Sequence, residues 1–246
     1  MTDYSNSPIR EAVCEFRFSK KTGRDKDLSL KYYEKIKSEF PKKEVKKVHH
    51  FQVNADIEGI QNSKTELNDR HLFFDNDRRF IVQIAPGLLS ISCLEPYPSW
   101  DIFNEKIRLA YNTLSELTEI HGIERIGLLY VNKIEISDKP AELKDYFTFY
   151  PNIPKMPELT VGNINMGSDF LYNAGNDICR VQLTRAVPEK KGDIAFLLTT
   201  DFFTAKPGSV VPNDALLWTE VAHNEIKNIF RNCITEKTES LFNGDD

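Results

Sequence analysis

Long apolar runs are missing from this sequence, and so is the pattern of a secretory leader. Its longest apolar runs, such as residues 126–131, are far shorter than the roughly 20 residues that a helix needs to cross a bilayer. Residues 1–7 are polar and lack the positive and apolar regions of a signal peptide. We therefore predict a cytoplasmic protein with no membrane segment.

Cysteine and net positive charge are also scarce. The formal net charge of −5 and the pI near 5.7 disfavour a dominant electrostatic grip on nucleic-acid phosphates, which needs clustered lysine and arginine. The four cysteines lie far apart, each within an apolar strand or helix pattern, and we expect them to be reduced core thiols. They are Cys14, Cys93, Cys179 and Cys233.

Complete catalytic and metal-binding signatures are absent as well. No Gly-x-Ser-x-Gly elbow occurs, and neither a Walker nor a dinucleotide glycine pattern is present. Carboxylates are plentiful, but nothing in the sequence assigns Glu11, Glu15 or Glu135 to a defined acid–base pair. We therefore expect a protein that is not an enzyme and that holds no cofactor and no metal ion.

What the sequence does contain is a clear succession of strand and helix patterns, in a chain of 246 residues that is 40% hydrophobic. A strand pattern at 8–18 precedes a helical pattern at 28–40, and Ser99 is a good N-cap for a long helix that begins at Trp100. Between those two helices the spacing predicts four strands and a polar loop. The strands are at 48–55, 72–74, 79–85 and 88–94, and the loop is at 56–70.

The same order of elements then begins again. The pattern predicts a strand at 125–137, a short helix at 141–147, strands at 159–172, 178–187 and 193–203, and a final helix at 213–241. The apolar stripe predicted to bury that helix consists of Leu217, Val221, Ile226, Ile229, Phe230 and Cys233. Trp100 and Trp218 lie 118 positions apart, each near the start of a long helix. This offset indicates an internal duplication.

These patterns predict an α+β fold made of two diverged β-α-β-β-β-α units, residues 1–120 and 121–246, packed as one compact body. Each unit would place its helices, including the long closing one, against one face of an antiparallel sheet and leave the other face free. This arrangement resembles the helix-grip and TATA-binding-protein-like folds. The two sheets would join edge to edge, and the free face is the natural binding surface.

Three segments resemble landmarks of one bacterial protein family. They are Pro8-Ile9-Arg10-Glu11-Ala12-Val13-Cys14-Glu15, then Arg125-Ile126-Gly127-Leu128-Leu129-Tyr130-Val131-Asn132-Lys133-Ile134, and the spaced His223, Ile226, Phe230 and Ile234-Thr235-Glu236-Lys237. This sporadically distributed family opens with Pro-Ile-x-Glu-Ala-Val-x-Glu and supplies no established activity. Its usual central motif is Arg-Tyr-Ile-Asn-Arg-Ile, whereas Leu129 and Lys133 replace the two arginines here. The resemblance implies an accessory role, as in antiphage defence or a toxin–antitoxin system.

Four residues of the second half are binding candidates: Tyr130, Asn132, Lys133 and His223. Tyr130 and Asn132 lie on the apolar face of their strand, where polar groups either satisfy each other or line a cavity. His223 suits a general base, a ligand or a packing residue, but no histidine or cysteine stands three or four positions away to complete a metal site. A pocket that joins Asn132, Tyr130 and His223 would indicate an enzyme, and structural roles are the favoured interpretation.

The nucleic-acid alternative depends on one basic cluster. Its residues are Lys42, Lys43, Lys46 and Lys47, together with Arg78 and Arg79. If single strands bind, these side chains should lie on the rim of the free sheet face, near Phe73, Phe74 and Phe80 as stacking platforms. A solvated surface is the favoured interpretation because the whole chain is acidic. The leading hypothesis is a non-enzymatic module whose partner is another protein or a second copy of this chain.

Overall fold

The computed structural model describes residues 4–20, 22–23, 25, 27–56, 59–137, 141–152, 154 and 162–243, with the backbone alone between residues 48 and 68. In these residues the fold is α+β, with nine strands and five helices. The first half contains β1 (Ile9–Phe18), α1 (Leu28–Ile36), β2 (Lys42–Asp56), β3 (Gly59–Phe74), β4 (Phe80–Ala85), β5 (Leu88–Leu94) and α2 (Trp100–Leu117). The second half contains β6 (Ile123–Ile136), α3 (Leu143–Tyr146), β7 (Asn165–Tyr172), β8 (Asp177–Ala186), β9 (Ile194–Thr204), α4 (Ala215–Cys233) and α5 (Glu236–Asn243).

All nine strands form one antiparallel sheet in the order β2-β3-β4-β5-β1-β6-β9-β8-β7. The first strand of each half, β1 and β6, meet at the centre, where Val13 lies opposite Leu129. Outward from β1 the order runs back along the first half, and outward from β6 it runs back along the second half. The predicted antiparallel sheets therefore form a single continuous one.

One hydrophobic core lies between this sheet and the helices. Along β1, Ala12, Cys14 and Phe16 are buried while Val13 and the residues that alternate with them are half-buried or exposed. The same period-two alternation in β6 places Tyr130 in the core, because successive strand side chains point to opposite faces. Buried residues of all five helices join this core, so the described helices lie on one side. We call the other side of the sheet the open face.

Helix α2 begins where the sequence predicts, whereas the predicted final helix differs from the observed one. Ser99, with φ −173°, accepts a hydrogen bond from the Ile102 amide through its side chain, so the predicted N-cap is confirmed. The predicted helix at 213–241 is two helices, α4 and α5, separated at Ile234 and Thr235. Leu217 and Val221 are 65% and 45% exposed, so their predicted burial is wrong.

The face of α4 that meets the sheet is centred about one residue further along than predicted. Trp218, Ala222, Ile226, Ile229, Phe230 and Cys233 are buried on it. Leu217 and Val221 share a different row of the helix, one turn apart, which points away from the core. The predicted apolar stripe is therefore confirmed for Ile226, Ile229, Phe230 and Cys233 but not for Leu217 and Val221.

The loop predicted at 56–70 is also wrong, because Gly59–Phe74 form β3. The sequence predicts a loop there because residues 56–70 are mostly polar, and strands are usually recognised by the alternation of apolar and polar residues. Here β4 pairs only with residues 71–74 of β3, and the rest of β3 pairs with β2 alone. A two-stranded ribbon of this kind has no sheet neighbour on its second edge. The predicted strand at 159–172 begins at Asn165, and residues 155–161 lie outside the described residues.

All four cysteines are buried and unpaired, as expected of core thiols. Burial raises the pKa of Cys93 and of Cys179 to about 12 and that of Cys233 to about 11. Among the helices in the described part of the chain, none is long and apolar enough to cross a membrane.

Candidate functional site

Tyr130 and His223, two of the predicted site residues, meet beneath the helices. The Tyr130 hydroxyl lies 3.1 Å from His223 Nδ1 and 3.1 Å from the hydroxyl of Tyr97, so one hydrogen-bonded chain joins the three side chains. Tyr130 comes from β6, His223 from α4, and Tyr97 from the loop before α2. The chain therefore links the sheet to both long helices.

Trp100 extends this chain on the other side of His223. The imidazole and indole rings are stacked, with centroids 4.0 Å apart and planes within 1°. The indole Nε1–H donates to Glu220 at 2.8 Å, and Glu220 also accepts hydrogen bonds from Asn104 and Arg108. Three residues of α2 thus converge on one carboxylate of α4.

Burial sets the electrostatics of this group. Desolvation lowers the pKa of His223 from 6.5 to about 3, so the imidazole is neutral at pH 7. Burial alone would raise the pKa of Glu220, but the hydrogen bonds from Trp100, Arg108 and Asn104 lower it overall. Tyr130 is fully buried and His223 is 5% exposed, so a dissolved substrate does not reach either side chain. The arrangement is suited to joining α2, α4 and β6.

Asn132 is not part of that chain. Its side-chain nitrogen donates to the Leu198 carbonyl at 3.1 Å, across the β6–β9 pair. Its side-chain oxygen is buried and has no hydrogen-bond partner within the described residues, and the same is true of Thr200 Oγ1 on β9. The structure therefore brings Tyr130 and His223 together but leaves Asn132 in a separate, structural contact.

Lys133, the fourth candidate, lies on the open face in a mixed-charge group that we call the Lys133 cluster. Lys133 Nζ is 2.6 Å from Glu135 and 3.2 Å from Glu189. Glu189 also pairs with Arg10, which in turn pairs with Glu95. The cluster holds two cationic and three anionic side chains, so it offers no excess positive charge.

A second charged group lies at the other end of the same strands, and we call it the Arg125 cluster. Arg125 bridges Glu15 on β1 and Asp201 on β9, at 3.4 and 3.2 Å. Its guanidinium carbon lies 4.6 Å from the centre of the Phe203 ring. Arg125 can lie across the sheet because Gly127 beside it has no side chain: a Cβ there would be 2.5 Å from Arg125 Nη1.

The Arg125 cluster continues outward to the sheet edge. Arg180 on β8 lies 5.7 Å from the Phe203 ring centre and makes two 2.8 Å hydrogen bonds to Asp169 on β7. Desolvation raises the pKa of Asp201, although Arg125 and Arg180 act in the opposite direction. Arg17 pairs with Glu15 at the inner end. Cations and anions therefore alternate across five neighbouring strands, from β1 to β7.

Aliphatic side chains fill the centre of the open face between the two clusters. They are half-buried, and we call them the apolar band: Val13, Leu129, Val131 and Leu197. Leu129 is thus part of an apolar surface.

The predicted basic cluster is divided between the two sides of the sheet. Lys42 and Lys46 lie opposite Phe74 and Arg70, whereas Lys43 and Lys47 lie opposite Phe73 and Asp69, on the helix side. All four lysines are exposed. Lys43 Nζ lies 4.4 Å from the Tyr33 ring centre, which fixes its side.

The two predicted arginines at the same edge are already engaged. Arg78 pairs with Glu44 and covers the Phe74 ring, while Arg79 lies 3.9 Å from Asp77 and over Phe80. Phe73, Phe74 and Phe80 are at most 5% exposed, so these rings are not free platforms for bases.

Sequence reasoning missed Tyr97, Glu220, Arg125 and Asp201. A buried tryptophan needs an acceptor for its N–H, which was the one sequence signal for Glu220. Nothing in the pattern indicated that Gly127 makes room for Arg125. In the described residues, no group of three or more histidine, cysteine, aspartate or glutamate side chains could hold a metal ion. The chain matches no protein-family model and no curated protein.

Proposed function

We propose that this chain is a non-enzymatic module that binds another protein through its open face. The observation that carries the proposal is the apolar band, which lies between two charged clusters on a sheet face that no described helix covers. Protein interfaces commonly combine an apolar centre with a polar, charged rim. The open face has the same arrangement, with the apolar band at its centre and a charged cluster on either side.

Charge favours a protein partner over a nucleic acid. The Arg125 cluster contains Arg17, Arg125 and Arg180 against Glu15, Asp201 and Asp169, each in a described ion pair. A phosphate backbone would have to break these pairs, because its affinity comes from cations that can neutralise it. A protein surface of alternating charge can instead match the alternation.

Burial argues against the enzyme alternative. Tyr130 and His223 are within hydrogen-bond reach, but both lie beneath the helices. Asn132 bonds elsewhere. A catalytic group must reach its substrate, and the open face, which is accessible, presents paired charges and aliphatic side chains.

The finer architecture and setting belong to the same proposal. We infer two diverged units, 1–120 and 121–246, from the mirrored strand order about β1 and β6 and from the two tryptophan-bearing helices. Membership of the sporadically distributed bacterial family, with an accessory role in the cytoplasm, stays a prediction from the three sequence landmarks. Superposition of the halves with α2 on α4 would test the duplication.

The test of function begins with capture of partners by the full chain from its native cells. A captured protein is then purified, and its affinity is measured for the wild type and for Leu129→Gln in the apolar band. We expect at least a tenfold loss, because the substitution places an amide at the centre of the interface. Leu30→Gln, at an exposed residue of α1 on the opposite side, is the matched control and should bind as the wild type does.

Equal binding by the wild type and Leu129→Gln would contradict this proposal. Circular dichroism must show that both variants are folded. Labelled DNA and RNA, single- and double-stranded, are titrated at about 50 mM salt, where phosphate affinity is strongest. Binding that Lys42→Gln and Lys46→Gln abolish would favour the nucleic-acid alternative instead.

A further inference from the structure

Strand β7 ends the sheet with a regular edge that has no partner among the described residues. It pairs with β8 over all eight residues, Asn165–Tyr172, without a bulge. The Arg185 amide donates to the Ile164 carbonyl, which fixes the phase of the ladder. Residues that directly exchange hydrogen bonds with β8 therefore alternate with residues whose N–H and C=O groups point outward. The outward set is Asn165, Gly167, Asp169 and Leu171.

This edge lacks the devices that usually keep sheet edges apart, namely lysines, prolines and bulges. The opposite edge, β2, carries Lys42, Lys43, Lys46 and Lys47, all of them exposed. The only charged residue of β7 is Asp169, whose charge Arg180 compensates. Phe170 and Leu171 are 40% and 71% exposed on opposite faces of the strand. The β7 edge is therefore suited to receive another strand.

We propose that β7 pairs antiparallel with β7 of a second copy of this chain. In the register that we infer, Asn165 pairs with Leu171, Gly167 pairs with Asp169, and Ser168 faces Ser168 of the second copy on the two-fold axis. Each outward residue then exchanges both of its backbone hydrogen bonds with a residue of the other copy. The sheet continues across the axis without a free edge at β7.

Side chains favour this register over the two neighbouring ones, and they favour a second copy of the chain as the partner of this edge. A shift that centres the axis on residue 169 would place Asp169 against Asp169, which like charges disfavour. A shift that centres it on residue 167 would leave Leu171 unpaired. In the inferred register Phe170 packs against Met166 of the second copy, an apolar cross-strand pair.

The surface beside β7 matches the same register. A shallow depression of about 480 Å³ lies there and includes Gly167 in its lining, where a Cβ would come within 3.2 Å of Gln182 Cγ. Asp169 of the second copy would point into this depression, opposite Gly167. The residues that line it include Arg180 and Gln182, a cation and an amide donor. The edge is therefore complementary to itself in backbone and shape.

Sedimentation equilibrium of the full chain, over a concentration series, tests the pairing. We expect the wild type to form dimers. Ser168→Lys and Ser168→Glu should each be monomeric at concentrations where the wild type is dimeric, because like charges would meet on the axis. An equimolar mixture of the two variants should form dimers again. Ser168 is exposed, so neither change should unfold the monomer, and circular dichroism checks this.

A cross-link gives a second, independent measurement. Residues that face each other in the non-hydrogen-bonded pairs of an antiparallel ladder have Cα atoms about 4.5 Å apart, within the range of a disulfide. Ser168→Cys should form a covalent dimer with oxidised glutathione, whereas Ser209→Cys, at another exposed serine, should not. The native cysteines are buried and give little background.

Three results would overturn the inference: a wild type that stays monomeric at every concentration, a dimer that survives both charged substitutions, or equal cross-linking of the two cysteine variants. If the wild type is monomeric, a strand of another protein becomes the alternative partner of the β7 edge. The inference does not depend on the open-face proposal, because Leu129→Gln changes no residue of β7 and should leave the dimer intact.

Discussion

Trp100 and Trp218 both lie in the first turn of a long helix, but their N–H groups serve different purposes. Each side chain is 8% exposed, and each indole donates to a carboxylate. The acceptor of Trp218 is Asp177, on β8 of the same half, which is 4% exposed. The acceptor of Trp100 is Glu220, on α4 of the other half, whose side chain is 32% exposed.

The difference separates a local role from a connecting one. Asp177 is a buried carboxyl group that depends on few donors, here Trp218 and Asn173. Glu220 has further donors on α2 and contact with solvent, so it depends less on any single one. Only Trp100 carries a stacked histidine, His223, which connects it to Tyr130. We call the group of Trp100, Glu220, His223 and Tyr130 the Trp100 side. It joins the helices to the sheet, whereas Trp218 satisfies one buried carboxyl group.

The largest expected effect is acid sensitivity at the Trp100 side. The pKa of His223 is lowered to about 3 in the folded protein, against 6.5 for an unperturbed histidine. Between these values the unfolded chain binds a proton that the folded chain does not. This group therefore lowers the free energy of unfolding by about 1.4 kcal/mol per pH unit as pH falls from 6.5 towards 3. Above pH 6.5 it adds no pH dependence.

Urea unfolding from pH 7 to pH 4 measures this slope. His223→Gln should remove that part of it, while His121→Gln, at a histidine whose side chain is 40% exposed, should keep it. Carboxylate titration adds a pH dependence common to all three proteins, so the difference between the slopes is the relevant quantity. Identical slopes for the wild type and His223→Gln would mean that folding does not lower the pKa of His223.

The second prediction compares the two tryptophans directly. Trp218→Phe keeps an aromatic ring but removes a donor from buried Asp177, and we expect it to lower the free energy of unfolding by about 2–3 kcal/mol. Trp100→Phe should cost about 1 kcal/mol less, because Glu220 keeps Asn104, Arg108 and solvent. Denaturant unfolding of both variants gives the values. A larger loss for Trp100→Phe would reverse the assignment of roles.

The third prediction concerns the hydroxyl at the centre of the Trp100 side. Tyr130→Phe leaves the Tyr97 hydroxyl and His223 Nδ1 without their shared partner, and should cost about 1–2 kcal/mol. Tyr172→Phe is the control near Trp218, because Tyr172 contacts Phe202 and its hydroxyl has no hydrogen bond within the described residues. Its loss should be close to zero. Equal losses would show that the hydroxyl chain adds no stability.

Much of the fold follows from local pattern. The period-two spacing of Ala12, Cys14 and Phe16 predicted β1, and Ser99 predicted the start of α2, because side-chain alternation and capping depend on neighbours in the chain. β3 was missed because its polar residues pair only with β2 over most of its length. The outward direction of Leu217 was missed because residue type does not say which row of a helix meets the sheet.

The candidate site was less predictable than the fold. Tyr130 and His223 were singled out as polar groups in apolar patterns, and they do meet. The same reasoning joined Asn132 to them, but a strand residue two positions along has other neighbours across the sheet. Arg125 and Asp201 are 76 positions apart and meet only because β6 pairs with β9. Pairings of this kind depend on topology.

The smallest expected effect is at the outer end of the Trp100 side. Arg108 lies 3.1 Å from Glu220, but the two side chains are 46% and 32% exposed, so solvent weakens their attraction. Arg108→Gln should lower the free energy of unfolding by about 0.5 kcal/mol, and roughly 1 M salt should remove most of that difference. Trp218→Phe should be nearly insensitive to the same salt because Asp177 is buried. Unfolding of both variants with and without salt measures the contrast, and a salt-independent loss for Arg108→Gln would show that its role is packing against α4 rather than charge.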